Sequence, residues 1–173
     1  MAFGQISVKR TVYFDRFRGD YWPSPAEIEP FFLAPKGKEW SYRGGNDSWV
    51  MSVSGLYDTA DRPDNDQVSV SLAMIGNPEL GVYLDYRKWD GRIRQGSSYS
   101  PKGDLTRLLE FVDSLHETPL SIGLFIPFPK AWRAVKEFME TDGALPTSIE
   151  WIADYDLPPE AFPVPGPPSQ KAR

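Results

Sequence analysis

Between Val68 and Met74 the chain alternates strictly. Val68, Val70, Leu72 and Met74 take one parity, and Gln67, Ser69, Ser71 and Ala73 take the other. A period of two puts one set on each side of a pleated strand. The same rule predicts strands over residues 6–14, 49–57 and 81–86. In the first of these Ile6, Val8, Val12 and Phe14 share a parity that Arg10 breaks. The polar stretch DTADRPDND (residues 58–66) and Gly76-Asn77-Pro78 are turn sequences, and Gly44-Gly45-Asn46-Asp47 is a loop. Short turns between alternating runs predict an antiparallel meander.

The period lengthens to that of a helix in two places. Ser24 reads as an N-cap, with Pro25 at the first helical position and Glu27 in the first turn, opening a helix to about Leu33. Pro30 predicts that it is brief or broken. Beyond Pro127 and Pro129, Ala131, Trp132, Ala134, Val135, Phe138 and Met139 gather on one face, against Lys130, Arg133, Lys136, Glu137 and Glu140. This predicts a buried-face helix over residues 130–141. Gly143 is the expected C′ residue, because it enters the left-handed region without a Cβ. Leu145-Pro146 ends the helix, and Ile149 and Trp151 can return as a strand to the sheet that the helix covers.

Three segments are less regular. Residues 87–104 (RKWDGRIRQGSSYSPKGD) are polar and basic and read as a loop. Leu105, Leu108, Leu109, Val112 and Leu115 form a helical stripe with Asp104 as a possible cap, although a strand through Leu109 and Phe111 also fits. Residues 120–125 are a short apolar run. The expected architecture is α+β, an antiparallel meander with helices packed on one face. Residues 1–162 form one domain, and the proline-rich residues 163–173 form a disordered tail.

Composition narrows the chemistry. A chain of 173 residues suffices for one domain with a sizeable core. It has no cysteine, which excludes disulfides, thiolate catalysis and Cys-based zinc sites. Its six Trp, eight Tyr and ten Phe supply buried area and potential interface anchors. No apolar run has signal-peptide or membrane-span character, so the expectation is a soluble, cytoplasmic protein with no membrane partner.

The net charge of −5 is unevenly spread. Residues 137–170 hold seven acids and no Lys or Arg, and residues 58–85 hold six acids against Arg62. Bases collect at residues 9–18 and 87–94. Acidic surface disfavours direct nucleic acid binding and suits a basic protein partner, or serves solubility alone.

No chemical motif is complete. His116 is the only histidine and has no Gly-x-Ser-x-Gly elbow beside it. Asp58, Asp61, Asp64 and Asp66 lack the glycine and closing glutamate of a calcium loop, and Gly44-Gly45 lacks a phosphate-loop frame. The basic residues 87–94 with Trp89 read as a surface loop whose tryptophan packs inward. The tail matches SH3 ligands in composition only. No catalytic residue, metal or cofactor is expected.

The stretch FIPFPKAWRAVKEFMETDGALPTSIEW (residues 125–151) resembles the C-terminal signature of immunity protein family one of bacterial polymorphic toxin systems, of the deaminase-toxin type. The matching positions are Pro127, Ala131, Ala134, Val135, Phe138, Thr141, Gly143, Pro146, Ile149, Glu150 and Trp151. GVYLDY and WDGRIRQGSS are similar to that family's central strand and polar loop, whereas residues 1–60 carry no resemblance. Asp142 separates Thr141 from Gly143, which the family places side by side. The resemblance implies an antiparallel α+β fold and favours strand over residues 106–112. It also implies neutralisation of a cognate toxin by binding, the toxin being a nucleic acid deaminase, a nuclease or another effector.

The signature positions are core-forming and do not mark the interface. Charge segregation instead singles out Asp58, Asp61, Asp64 and Asp66, with Asp154, Asp156 and Glu160, as the expected toxin contacts. The expected function is an antitoxin that covers the active site of a basic toxin domain. The rival readings are an adaptor acting through its tail and a small hydrolase using His116.

Overall fold

In the computed structural model, which describes residues 8–35 and 48–163, the alternating segments become strands of an antiparallel sheet. In chain order the elements are β1 (Lys9–Phe14), β2 (Phe17–Gly19), α1 (Pro25–Leu33), β3 (Ser48–Leu56), β4 (Val68–Asn77), β5 (Gly81–Asp90), β6 (Gln95–Pro101), β7 (Phe111–Asp113), β8 (Pro119–Ser121), β9 (Phe125–Ile126), α2 (Phe128–Glu140) and β10 (Trp151–Ala153). The main sheet runs β10-β6-β5-β4-β3-β1-β2, with β9 paired to the start of β5. β7 and β8 form a separate two-stranded sheet. The architecture is α+β, as the pattern predicts.

One face of the sheet carries the main core. Met51, Val53, Val70, Leu72, Met74, Leu84 and Tyr86 pack there against Ala131, Val135 and Phe138 of α2 and Ile28 and Phe32 of α1. Aromatic rings join the layers, with Phe14 edge-on to Phe31 at 5.0 Å and Phe32 tilted on Trp132 at 5.5 Å. Arg10, which breaks the parity of β1, sits at this layer's margin and pairs with Asp142 at 2.6 Å. A second core of Tyr83, Leu120, Leu124, Phe125 and Leu157 lies under the β7–β8 lobe.

α1 keeps the expected Ser24 cap, with Glu27 accepting from the Ser24 backbone at 2.7 Å, and it runs unbroken through Pro30. α2 begins two residues earlier than its stripe suggests, at Phe128. Its end is a Schellman turn: the Gly143 amide donates to the Phe138 carbonyl at 2.9 Å. Asp142 (φ 51°) therefore occupies C′, and Gly143 (φ 89°) follows it, a shift of one from the sequence expectation. The Tyr86 hydroxyl donates to the Gly143 carbonyl at 2.7 Å, fixing the turn to the sheet.

Two expectations are corrected. Residues 87–104 are not a loop, because most of them complete β5 and form β6, paired from Tyr86–Tyr99 to Asp90–Gln95. Much of this hairpin is polar on both sides, so backbone pairing makes the strands without an apolar alternation. Residues 105–115 are not a helix. Leu105–Arg107 is a single 3-10 turn, with the Asp104 side chain accepting from the Thr106 amide, and the strand is confined to Phe111–Asp113. Contacts distant in sequence hold the segment open: Ser121 Oγ donates to the Leu108 carbonyl at 2.7 Å and the Ile122 amide to Glu110 at 2.8 Å. Two of the five residues of the apparent stripe face solvent, with Leu109 62% and Leu115 59% exposed. β2 is an additional hairpin strand that the sequence reading lacks. Ile6, the Gly44-Gly45 loop and residues 164–173 of the tail lie outside the described residues.

Candidate functional site

The sheet's second face is built from the other parity. Across β1, β3, β4, β5 and β6, Lys9, Ser54, Ser69, Trp89 and Gly96 align in one row, and Thr11, Ser52, Ser71, Arg87 and Ser98 in the next. At the far end of this face Ile75 and Tyr83 belong to the second core, so the β7–β8 lobe covers that end only. The small side chains of the two rows leave a groove of about 630 Å³, which Tyr155 also lines.

Thr11 and Ser52 share a hydrogen bond between their hydroxyls. Among the described residues, the hydroxyls of Ser54, Ser69, Ser71 and Ser98 have no partner. Trp89 is anchored by its indole N–H to the Asn65 carbonyl at 2.9 Å. Arg87 donates through Nε to both oxygens of Asp85, at 3.0 and 3.2 Å. Burial raises the Asp85 pKa; Arg87 opposes that shift, and the charge of Asp154 adds to it. Asp154 accepts from Ser100 Oγ at 2.7 Å. Lys9 makes a loose pair with Asp20 at 3.7 Å.

The seven acids singled out by charge fall into two groups. Asp58, Asp61 and Asp64 are exposed on the β3–β4 connection, while Asp66 is paired with Arg94 at 2.8 Å. The β5–β6 turn packs on this connection, with Gly91 close against the backbone of Asn65 and Asp66. Arg92 and Lys88 lie 4.8 and 5.3 Å from the Tyr57 ring. Acidic and basic stretches that are separate in sequence therefore meet in space, and Arg94 offsets part of the acidic charge. In the second group, Asp154 is half-buried and Asp156 and Glu160 are exposed on 3-10 turns after β10.

None of the seven acids lines the groove, but each acidic segment reaches it through an aromatic residue. Trp89, tied to Asn65, lines it, and so does Tyr155, which stands between Asp154 and Asp156. Sequence reasoning missed Lys9, Ser52, Ser54, Ser69, Ser71 and Arg87. A signal for the four serines exists in SVSG and SVSL, where adjacent strands carry serine at successive outward positions.

His116 is exposed on the β7–β8 turn, away from the groove. Among the described residues no group of three or more His, Asp or Glu side chains could hold a metal ion. No helix there is long and apolar enough to cross a membrane.

The fold and this groove define an antiparallel α+β protein with a helix-covered face and an open, hydroxyl-rich one, a surface suited to binding. The family model described as Immunity protein Imm1 matches residues 38–153, more than half of the chain. The chain belongs to this immunity protein family, whose members have a cognate toxin as partner and a role that points away from catalysis. No curated protein and no solved structure matches it.

Proposed function

We propose that the protein neutralises a bacterial toxin domain, a nucleic acid deaminase, by binding it in the cytoplasm and covering its active site. Membership of the immunity family carries this reading. The groove supports the placement of the contact, since Trp89, bonded to Asn65 in the acidic connection, and Tyr155, next to Asp154 and Asp156, both line it. A toxin that acts on nucleic acid presents basic surface to phosphates, and Asp58, Asp61, Asp64, Asp66, Asp154, Asp156 and Glu160 offer complementary charge. Complementary charge of this kind speeds encounter, and close pairs couple by about 1.5–7 kcal/mol. A complex of ordinary size would bury about 1,600 Å² in total.

Co-expression with the toxin domain encoded beside its gene tests the proposal. The expected result is cell survival together with a complex that co-purifies. Cell death at the same rate as with toxin alone, and no complex, would contradict it.

A further inference from the structure

The groove floor has a charge opposite to that of the nearby acidic segments. The charged side chains that its two rows contribute are cationic: Lys9 and Arg87. We propose that this floor takes an acidic segment of the toxin, with carboxylates placed between Lys9 and Arg87 over the serine rows. This rests on the immunity reading and adds to it the chemistry of the partner.

Arg87 is aimed for the purpose. Asp85 engages only its Nε, and among the described residues the terminal guanidinium nitrogens have no partner. Those nitrogens can meet a carboxylate with two charge-assisted hydrogen bonds. Lys9 is equally available, since its pair with Asp20 is long and the two side chains are 63% and 72% exposed. Between the two cations, Ser54, Ser69 and Ser71 supply unpartnered hydroxyls as further donors.

The geometry also sets the length of the occupant. Lys9 on β1 and Arg87 on β5 are three strand spacings and one row apart, roughly 16 Å. An extended chain rises about 3.3 Å per residue, so acids about five residues apart would reach both cations. A nucleic acid strand fits poorly, because Asp85 is paired with Arg87 and the charge of Asp154 reaches Asp85. These carboxylates repel a polyphosphate, whereas a protein segment can bring bases for them and acids for the floor.

The test measures the affinity of the neighbouring toxin domain for the wild-type protein and for Lys9→Glu, Arg87→Glu and Ser71→Trp. Each variant is checked by thermal unfolding. Lys9→Glu changes an exposed side chain, so it keeps the test valid if Arg87→Glu, next to Asp85, weakens the fold. The expectation is a loss of affinity of about 30-fold or more for each well-folded variant. A further expectation is recovery of binding to Arg87→Glu when one toxin acid is changed to lysine. Affinities within about threefold of wild type for Lys9→Glu and Ser71→Trp would overturn the inference while leaving the immunity reading intact. Wild-type protein that binds no toxin would overturn both. Displacement of the toxin by a single-stranded oligonucleotide, lost in Lys9→Glu, would assign the floor to phosphate and also overturn it.

Discussion

At the scale of single residues, Glu137 shows how one side chain secures the segment after a helix. Its carboxylate accepts from the Thr147 amide at 2.9 Å, the Thr147 hydroxyl at 2.7 Å and the Ser148 amide at 2.9 Å. These bonds, led by the Thr147 backbone N–H, hold its pKa near 2. A depressed folded-state pKa means the contribution is present above the ordinary carboxylate range and is lost as pH falls through that range toward 2. Urea unfolding across that window is expected to show a fall in stability that Glu137→Gln reduces. Phe138 lies in the main core, fully buried beneath Trp22 and Tyr86. Phe138→Ala is expected to cost about 3–5 kcal/mol by the same measurement. Gly143, at φ 89°, has no room for a side chain, since a Cβ would stand 2.9 Å from Val53 Cγ1. Gly143→Ala is expected to cost about 1–3 kcal/mol, read as a lowered melting temperature.

At the scale of elements, apolar alternation and caps revealed what they control. β3, β4, α1 and α2 each bury one side against a core, and each was legible from Val68-to-Met74 alternation, the Ser24-Pro25-Glu27 start or the Ala131-to-Met139 stripe. The β5–β6 hairpin was not legible, because β6 buries little and its order comes from pairing with β5 and from the connection beside it. Leu105 to Leu115 misled for the opposite reason. Its spacing suits a helix, yet bonds to Ser121 and Ile122 decide its path. The groove was legible only in part: the acidic segments near it and the basic stretches that supply Lys9 and Arg87 stood out as charge, but the serines of its floor carry no such signal. Gly91 links the hairpin to the acidic connection, where an added Cβ would collide with the backbone of Asn65 and Asp66. Gly91→Ala is therefore expected to speed amide exchange in residues 58–66 and to weaken toxin binding while the main core remains folded, as measured by hydrogen exchange and by affinity.

At the scale of the whole molecule, two cores divide the labour. The helices fill one face of the sheet, the β7–β8 lobe closes one end of the other, and the remaining hydroxyl-rich surface stays open. The arrangement suits recognition by charge at the margin and by shape and hydrogen bonding at the centre. Changing Asp61, Asp64 and Asp66 to lysine is expected to slow toxin association and to reduce its dependence on salt, measured by stopped-flow mixing. An association rate unchanged by these substitutions would remove the β3–β4 connection from the interface.

The central claim is neutralisation by direct binding, and a titration tests it most directly. Purified protein is added to purified cognate toxin, and the toxin's activity is followed. The account predicts that activity falls in proportion to added protein and vanishes at one molar equivalent. Undiminished toxin activity at about tenfold excess would contradict it.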